Sequence, residues 1–222
     1  MSHRTERDPL GELSVPADAY YGVQTARAVE NFPISGLRAP ADLVTATILV
    51  KKAAAEANVA LGRLDADVAL AIVAAADEIL AGLLRDQFVV DVYQAGAGTS
   101  HNMNANEVLA NRAAELLGEP RGMYTRVHPN DHVNMGQSTN DVFPTAMRLA
   151  LLLGAGPLVR AARDLVESLA RKADEFTGVL KTGRTHLQDA VPITLGQEFG
   201  GYSACVRRGA DDVAEPPSSC RN

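Results

Sequence analysis

Three short segments of this 222-residue chain gather the side chains that could do chemistry. Residues 96–104 read Gly-Ala-Gly-Thr-Ser-His-Asn-Met-Asn. Residues 128–141 read His-Pro-Asn-Asp-His-Val-Asn-Met-Gly-Gln-Ser-Thr-Asn-Asp, and residues 183–189 read Gly-Arg-Thr-His-Leu-Gln-Asp. Each is a polar island in an apolar chain, and each sits in a loop that opens into a helix. Helix N-termini leave backbone N–H groups free and favour negative charge. Neutral donors from Thr, Ser, Asn and Gln, with an Arg and several His, therefore suit a small anionic substrate. Taken singly, such residues are also ordinary loop and cap residues. Their joint presence points to a site.

Other motifs do not hold. Gly96-Ala-Gly98 starts like a dinucleotide fingerprint, but His101 stands where the third glycine belongs and no βαβ context surrounds it. Gly136-Gln-Ser138 lacks the closing glycine of a nucleophile elbow. His128 and His132 share the spacing of a zinc helix, yet Pro129 follows the first and no third ligand is evident. No metal and no cofactor is expected. Asp131 and Asp141 could act as acid or base, with capping as the plainer role.

The elements that would position these islands are helices. Residues 1–40 carry Pro9, Pro16, Gly22, Pro33, Gly36 and Pro40, too much punctuation for a helix, and read as irregular. An Ala-rich helix follows from Ala41 to about Leu61, stopped by Gly62. Asp65 or Asp67 caps the next, whose face is Val68, Ile72, Ala75, Ile79 and Leu83. Phe88–Val90 reads as a short extended piece. A helix from near Asn102 to Leu117 comes next, then an irregular stretch to residue 138. Thr139 or Asn140 caps another helix, broken at residues 154–157 (Gly-Ala-Gly-Pro). Beyond that break, Leu158, Ala162, Leu165, Leu169, Ala173 and Phe176 mark one face of a long helix. A loop over 177–190 leads to Pro192 in the first turn of a last helix. The expected fold is all-α, with an N-terminal helical domain over 1–138 and the start of a long-helix bundle over 139–222.

Composition narrows the class. The chain is 46% hydrophobic with 21 basic and 27 acidic residues, so its net charge of −6 argues against a nucleic-acid partner. No uninterrupted apolar run approaches a membrane span, and the first residues lack a signal-peptide core. Two cysteines, Cys205 and Cys220, fit a reducing, cytoplasmic setting.

With these motifs in view, the sequence resembles the aspartase/fumarase superfamily of lyases from about residue 6 to about 203. Residues 8–11, 15–25 and 30–36 look like the start of such enzymes. Residues 96–100 with 102–111, 128–134 with 137–141, and 183–192 with 195–199 look like their first, second and third substrate-binding segments. Gly96-Ala-Gly-Thr-Ser100, Ser138-Thr139 and Leu187-Gln-Asp-Ala-Val191 are aspartase-like. His128-Pro-Asn-Asp131 is shared with class II fumarases, where it lines a secondary anion site.

The resemblance implies the helical lyase fold and reversible elimination of ammonia from L-aspartate to give fumarate, with hydration of fumarate as the alternative. It implies that Thr99, Ser138, Thr139 and Asn140 hold the carboxylate whose charge grows. Thr185 and His186 would reach a neighbouring subunit's substrate, His186 being the one candidate catalytic group, and His128, Asn130 and Asp131 would form the secondary anion site. It further implies a homotetramer with sites built from three subunits, a small dicarboxylate as ligand, and no membrane partner. The family's loop bearing the serine base is absent from this sequence. Residues 207–222, with Pro216-Pro217, also depart from the pattern. The chain therefore reads as the N-terminal half of such a lyase, expected to be inactive alone; a non-catalytic relic or assembly protein is the contrasting expectation.

Overall fold

The computed structural model describes residues 2–215. The break expected at Pro216-Pro217 and the side chain of Cys220 lie outside the described residues. The chain is mostly helical and divides into two compact units, residues 1–151 and Leu152 onward.

The first unit does not open irregularly. β1 (His3–Asp8) and β2 (Gly11–Pro16) form an antiparallel hairpin with His3 opposite Pro16 and Asp8 opposite Gly11. Neither strand has a full apolar face. Polar groups hold the region instead. Arg4 donates to the carbonyls of Pro16, Ala19 and Tyr21 at 2.7–2.9 Å, and Arg27 grips Asp8 at 2.9 and 3.0 Å. α1 (Val23–Asn31) follows. Its N-terminus is covered by two buried carboxylates: Glu107 accepts from the N–H groups of Gly22, Gln24 and Thr25, and Glu6 from that of Val23. A side chain at Gly22 would collide with both carboxylates and with the Tyr124 hydroxyl.

The core of this unit is a three-helix layer, α2 (Ala41–Ala60), α3 (Ala66–Leu80) and α4 (Thr99–Leu116). Ile48, Ile72, Ile79, Val108 and Leu109 are fully buried at its centre. α2 stops at Gly62, whose φ of +66° only glycine adopts without strain. Val68, Ile72, Ala75 and Ile79 face the core as expected; Leu83 lies beyond the helix end and is exposed. Phe88–Val90 is not a strand. Phe88 is buried in the core, and the nearby pairing is one isolated bridge between Arg38 and Asp91. A single π-helical turn, Pro129–Val133, interrupts the irregular 118–138 stretch.

α5 runs unbroken from Thr139 to Glu175. The expected break at residues 154–157 does not occur. Pro157 removes one N–H from the ladder, at a typical cost of ~3 kcal/mol. The Ala- and Leu-rich segments on both sides favour continuation. By length and composition α5 could cross a membrane: its most apolar 18-residue window has a mean hydropathy of 1.6, and 11% of that window is buried. That is a property of one window within the long helix, which no uninterrupted apolar run in the sequence reveals.

In the second unit, the end of α5 packs against α6 (Leu195–Ala214). The buried positions are Val159, Val166, Gly196, Ser203 and Ala210, and Ser203 Oγ donates to the Val166 carbonyl at 3.0 Å. Leu158 and Leu165, expected to mark the packed face, are 59% and 49% exposed. Residues 177–190 are not a loop throughout: β3 (Leu180–Thr185) and β4 (Gln188–Thr194) pair antiparallel, and Pro192 lies in β4 rather than in a helix. Thr194 caps α6 in a reciprocal capping box with Gln197.

Candidate functional site

The starts of α4 and α5 meet in the first unit. Before α4 the chain turns at Gly96 and Gly98, with φ of +58° and +78°. A Cβ on Gly98 would fall inside the ring of Phe143, in the second turn of α5. Only glycine lets the two helix starts come this close. Thr99, exposed, is then the first residue of α4 and Thr139, half-buried, the first of α5.

Side chains tie the two starts together. Asn102 Nδ2 donates to Thr139 Oγ1 at 3.2 Å and to Asn134 Oδ1 at 3.3 Å. Ser138 Oγ accepts from the Asn140 N–H at 3.3 Å. Ser138 and Asn140 are exposed. Thr99 and the Ser138–Asn140 turn thus present donors at two helix N-termini of one compact unit, which is chemistry for an anion.

Beneath them lies Lys51, fully buried on α2. Its ammonium donates to Asn134 Oδ1 at 2.8 Å and Gln137 Oε1 at 2.9 Å, both neutral acceptors. Among the described residues no carboxylate pairs with it, and burial lowers its pKa to about 7. On α4, buried His101 is held near 4 by desolvation and then by the charge of Lys51. Its tautomer follows from hydrogen bonding. The Thr47 hydroxyl spends its proton on the Leu43 carbonyl, so at 3.0 Å it accepts from His101 Nε2–H.

Lys51, Asn102, Asn134 and Gln137 were not singled out from the sequence. A signal existed for Lys51, which falls on the stripe of Val44, Ile48 and Ala55 at helical spacing, all buried.

His128, Asn130 and Asp131 also come together, as a cap on the π-helical turn. His128 Nδ1 accepts from the N–H groups of Asn130 and Asp131, both at 3.2 Å. The same nitrogen lies 3.3 Å from Asp131 Oδ2, yet two N–H donors occupy its lone pair, so the pair is not an ion pair in this geometry. His132 Nδ1 in turn accepts from the His128 N–H at 2.9 Å. His128 therefore carries its proton on Nε2.

Thr185 and His186 belong to the second unit, at the tip of the β3–β4 hairpin. The two turn residues, His186 and Leu187, both have positive φ, +46° and +62°. That is the geometry of a type I′ turn, normally filled by Asn-Gly. Leu187 is 96% exposed.

The comparisons with known proteins agree with one another. A family model described as Lyase matches residues 11–216. The fumarate hydratase class II of Halobacterium salinarum is 61% identical over 215 residues, 95% of this chain and 45% of that protein. An aspartate ammonia-lyase from a Bacillus species is 55% identical over 211 residues, again 95% of this chain and 45% of the relative. The crystal structure of a fumarate lyase:delta crystallin from Brucella melitensis superposes with a TM-score of 0.87 at 57% identity, covering 95% of this chain and 49% of that one. The chain thus spans about half the length of the curated relatives it matches.

Proposed function

Because the chain belongs to the aspartase/fumarase superfamily of lyases, we propose that it supplies the substrate-binding part of an enzyme that eliminates ammonia reversibly from L-aspartate to give fumarate. The observation that carries this reading is the junction of the two helix starts through Asn102 and Thr139. The hard step is loss of a proton from the carbon next to a carboxylate, which leaves an aci-carboxylate with added negative charge on its oxygens. Fixed donors aimed at that charge lower the barrier. Thr99, Ser138, Thr139 and Asn140 take this role. Thr185 and His186 contact the substrate of a neighbouring copy in a homotetramer, and His128, Asn130 and Asp131 form a secondary anion site. The serine that serves the family as base belongs to a segment not among these residues, so the roles assigned here are binding and charge stabilisation. Among the described residues Cys205 is an exposed, unbridged thiol, which accords with a cytoplasmic setting.

The aspartase-like residues at 96–100, 138–139 and 187–191 favour aspartate. The 61% identity to a class II fumarate hydratase supports a second reading, in which water replaces ammonia and malate replaces aspartate. Joining residues 1–203 to the remaining segment of the Bacillus relative and following fumarate absorbance separates the two. Turnover of aspartate at least tenfold above that of malate is expected. The reverse ratio establishes the second reading, and a folded chimera inert to both substrates refutes each.

A further inference from the structure

Lys51 has no place in the chemistry above, yet it is a fully buried ammonium with only amide oxygens for partners. Such a group is costly to bury, and a fold normally keeps it only with compensation. We infer that Lys51 is a positioning residue for the anion site, acting through Asn134 and Asn102 to hold the Thr139 hydroxyl as an outward donor. The inference rests on the dicarboxylate reading and adds a residue to it.

Hydrogen-bond polarity dictates the chain of effects. An ammonium has three donors and no acceptor, so Asn134 must turn its oxygen towards Lys51. The Asn134 amide nitrogen then points to the Gln137 carbonyl, at 3.3 Å. Because the same Asn134 oxygen also faces Asn102, Asn102 must present its NH2 group there. That NH2 group is shared with Thr139 Oγ1, which becomes the acceptor. The proton of the Thr139 hydroxyl is left for a further partner. A second observation marks the cost. Asn102 is 4% exposed, and its Oδ1 is buried without a hydrogen-bond partner. Flipping the amide would aim Oδ1 at Asn134 Oδ1, an acceptor with no proton to give. The orphaned carbonyl is thus a consequence of the orientation that Lys51 imposes, a cost the fold bears at this position.

At pH 6, where Lys51 keeps its proton, the 222-residue chain tests this by two measurements on wild type and Lys51→Met: succinate and acetate titration by calorimetry, and side-chain amide NMR signals of Asn102 and Asn134. Wild type should prefer succinate. Lys51→Met should weaken succinate at least tenfold, shift both amide signals, and leave those of Asn106 and Asn111 on the same helix in place. Succinate binding within threefold of wild type overturns the inference and leaves the dicarboxylate reading standing. A wild-type chain that binds succinate no better than acetate refutes that reading instead. The amide signals then decide alone: unmoved Asn102 and Asn134 overturn the positioning role, and shifted ones support it. Should Lys51→Met not fold, the wild-type chain decides by hydrogen exchange. Asn102 and Asn134 side-chain amides should exchange at least a hundredfold more slowly than that of exposed Asn31, and exchange at the Asn31 rate overturns the inference.

Discussion

Asn102 Nδ2 lies 3.2 Å from Thr139 Oγ1, so the first turn of one long helix donates directly to the first residue of another. The bond makes Thr139 an acceptor towards the protein and a donor towards anything arriving from outside.

Removing that donor should cost what oxyanion-hole donors elsewhere cost, ~2.7–4 kcal/mol or roughly a hundred- to a thousandfold in turnover. In the chimera carrying the rest of a relative, Thr139→Val is expected to cut kcat by about that factor and to lower the thermal midpoint slightly, because the buried Asn102 amide loses one of its two acceptors. A loss below about threefold would reduce Thr139 to a helix start.

Gly98→Ala should fail for two independent reasons. Its φ of +78° is strained for any side chain, and the added methyl enters the Phe143 ring. We expect ~2–3 kcal/mol of destabilisation by urea unfolding, combining the backbone term with overpacking. Adding Phe143→Ala should recover part of it, because only the steric share is relieved. A single variant as stable as wild type would mean that the helix starts are not packed as described.

The two buried bases, Lys51 and His101, give a signed pH dependence. Between about pH 7 and 10.5 the unfolded chain holds the Lys51 proton and the folded chain does not, so this group makes stability rise with pH across that window. For His101 the window runs from about 4 to 6.5, and stability falls as the solution is acidified through it. Urea midpoints measured from pH 4 to 10 should therefore lose their upper slope in Lys51→Met and their lower slope in His101→Gln. Parallel curves for wild type and either variant would contradict the burial of that group.

The hairpin tip offers a test by gain. Left-handed backbone costs a non-glycine residue roughly 1–2 kcal/mol, partly offset by the flexibility glycine brings to the unfolded state. Leu187→Gly should stabilise the isolated chain by ~0.5–1 kcal/mol. Destabilisation would show that the exposed leucine packs against something, and sedimentation of both proteins would report whether a second copy covers it.

Much of the first unit was legible because its signals are local. The α2 stop at Gly62 and the α3 stripe each follow from a few neighbouring residues; α5 starts one residue early, with Ser138 rather than Thr139 or Asn140 as its cap. The β1–β2 hairpin was not legible, because its register rests on Arg4 reaching carbonyls 12 to 17 residues away and on Arg27 gripping Asp8. The β3–β4 hairpin was hidden by a His-Leu turn where Asn-Gly would have announced one. Glycine and proline at 154–157 suggested an end to α5, and helix-forming flanks overrode them. The donors of the site were recognisable as polar islands. What lies under them was not, since Lys51 looks like half of a solvated Lys-Lys pair until the stripe it shares with Ile48 is traced.

The two carboxylates at the start of α1 bear on how the protein handles anions. Glu107 is 1% exposed and takes three backbone N–H groups at 2.9–3.0 Å, while Glu6 takes a fourth. The first unit therefore sets carboxyl groups across the start of α1, whereas the starts of α4 and α5 carry only the neutral acceptors Gln94, which takes the His101 N–H, and Ser138, which takes that of Asn140. Glu107 works as an internal competitor: no solute carboxylate can enter where it already sits. Saturation with a dicarboxylate should accordingly perturb the amide signals of Thr99 and Thr139 and be silent at Gln24 and Thr25, so that the chain carries its own blank for every titration performed on it.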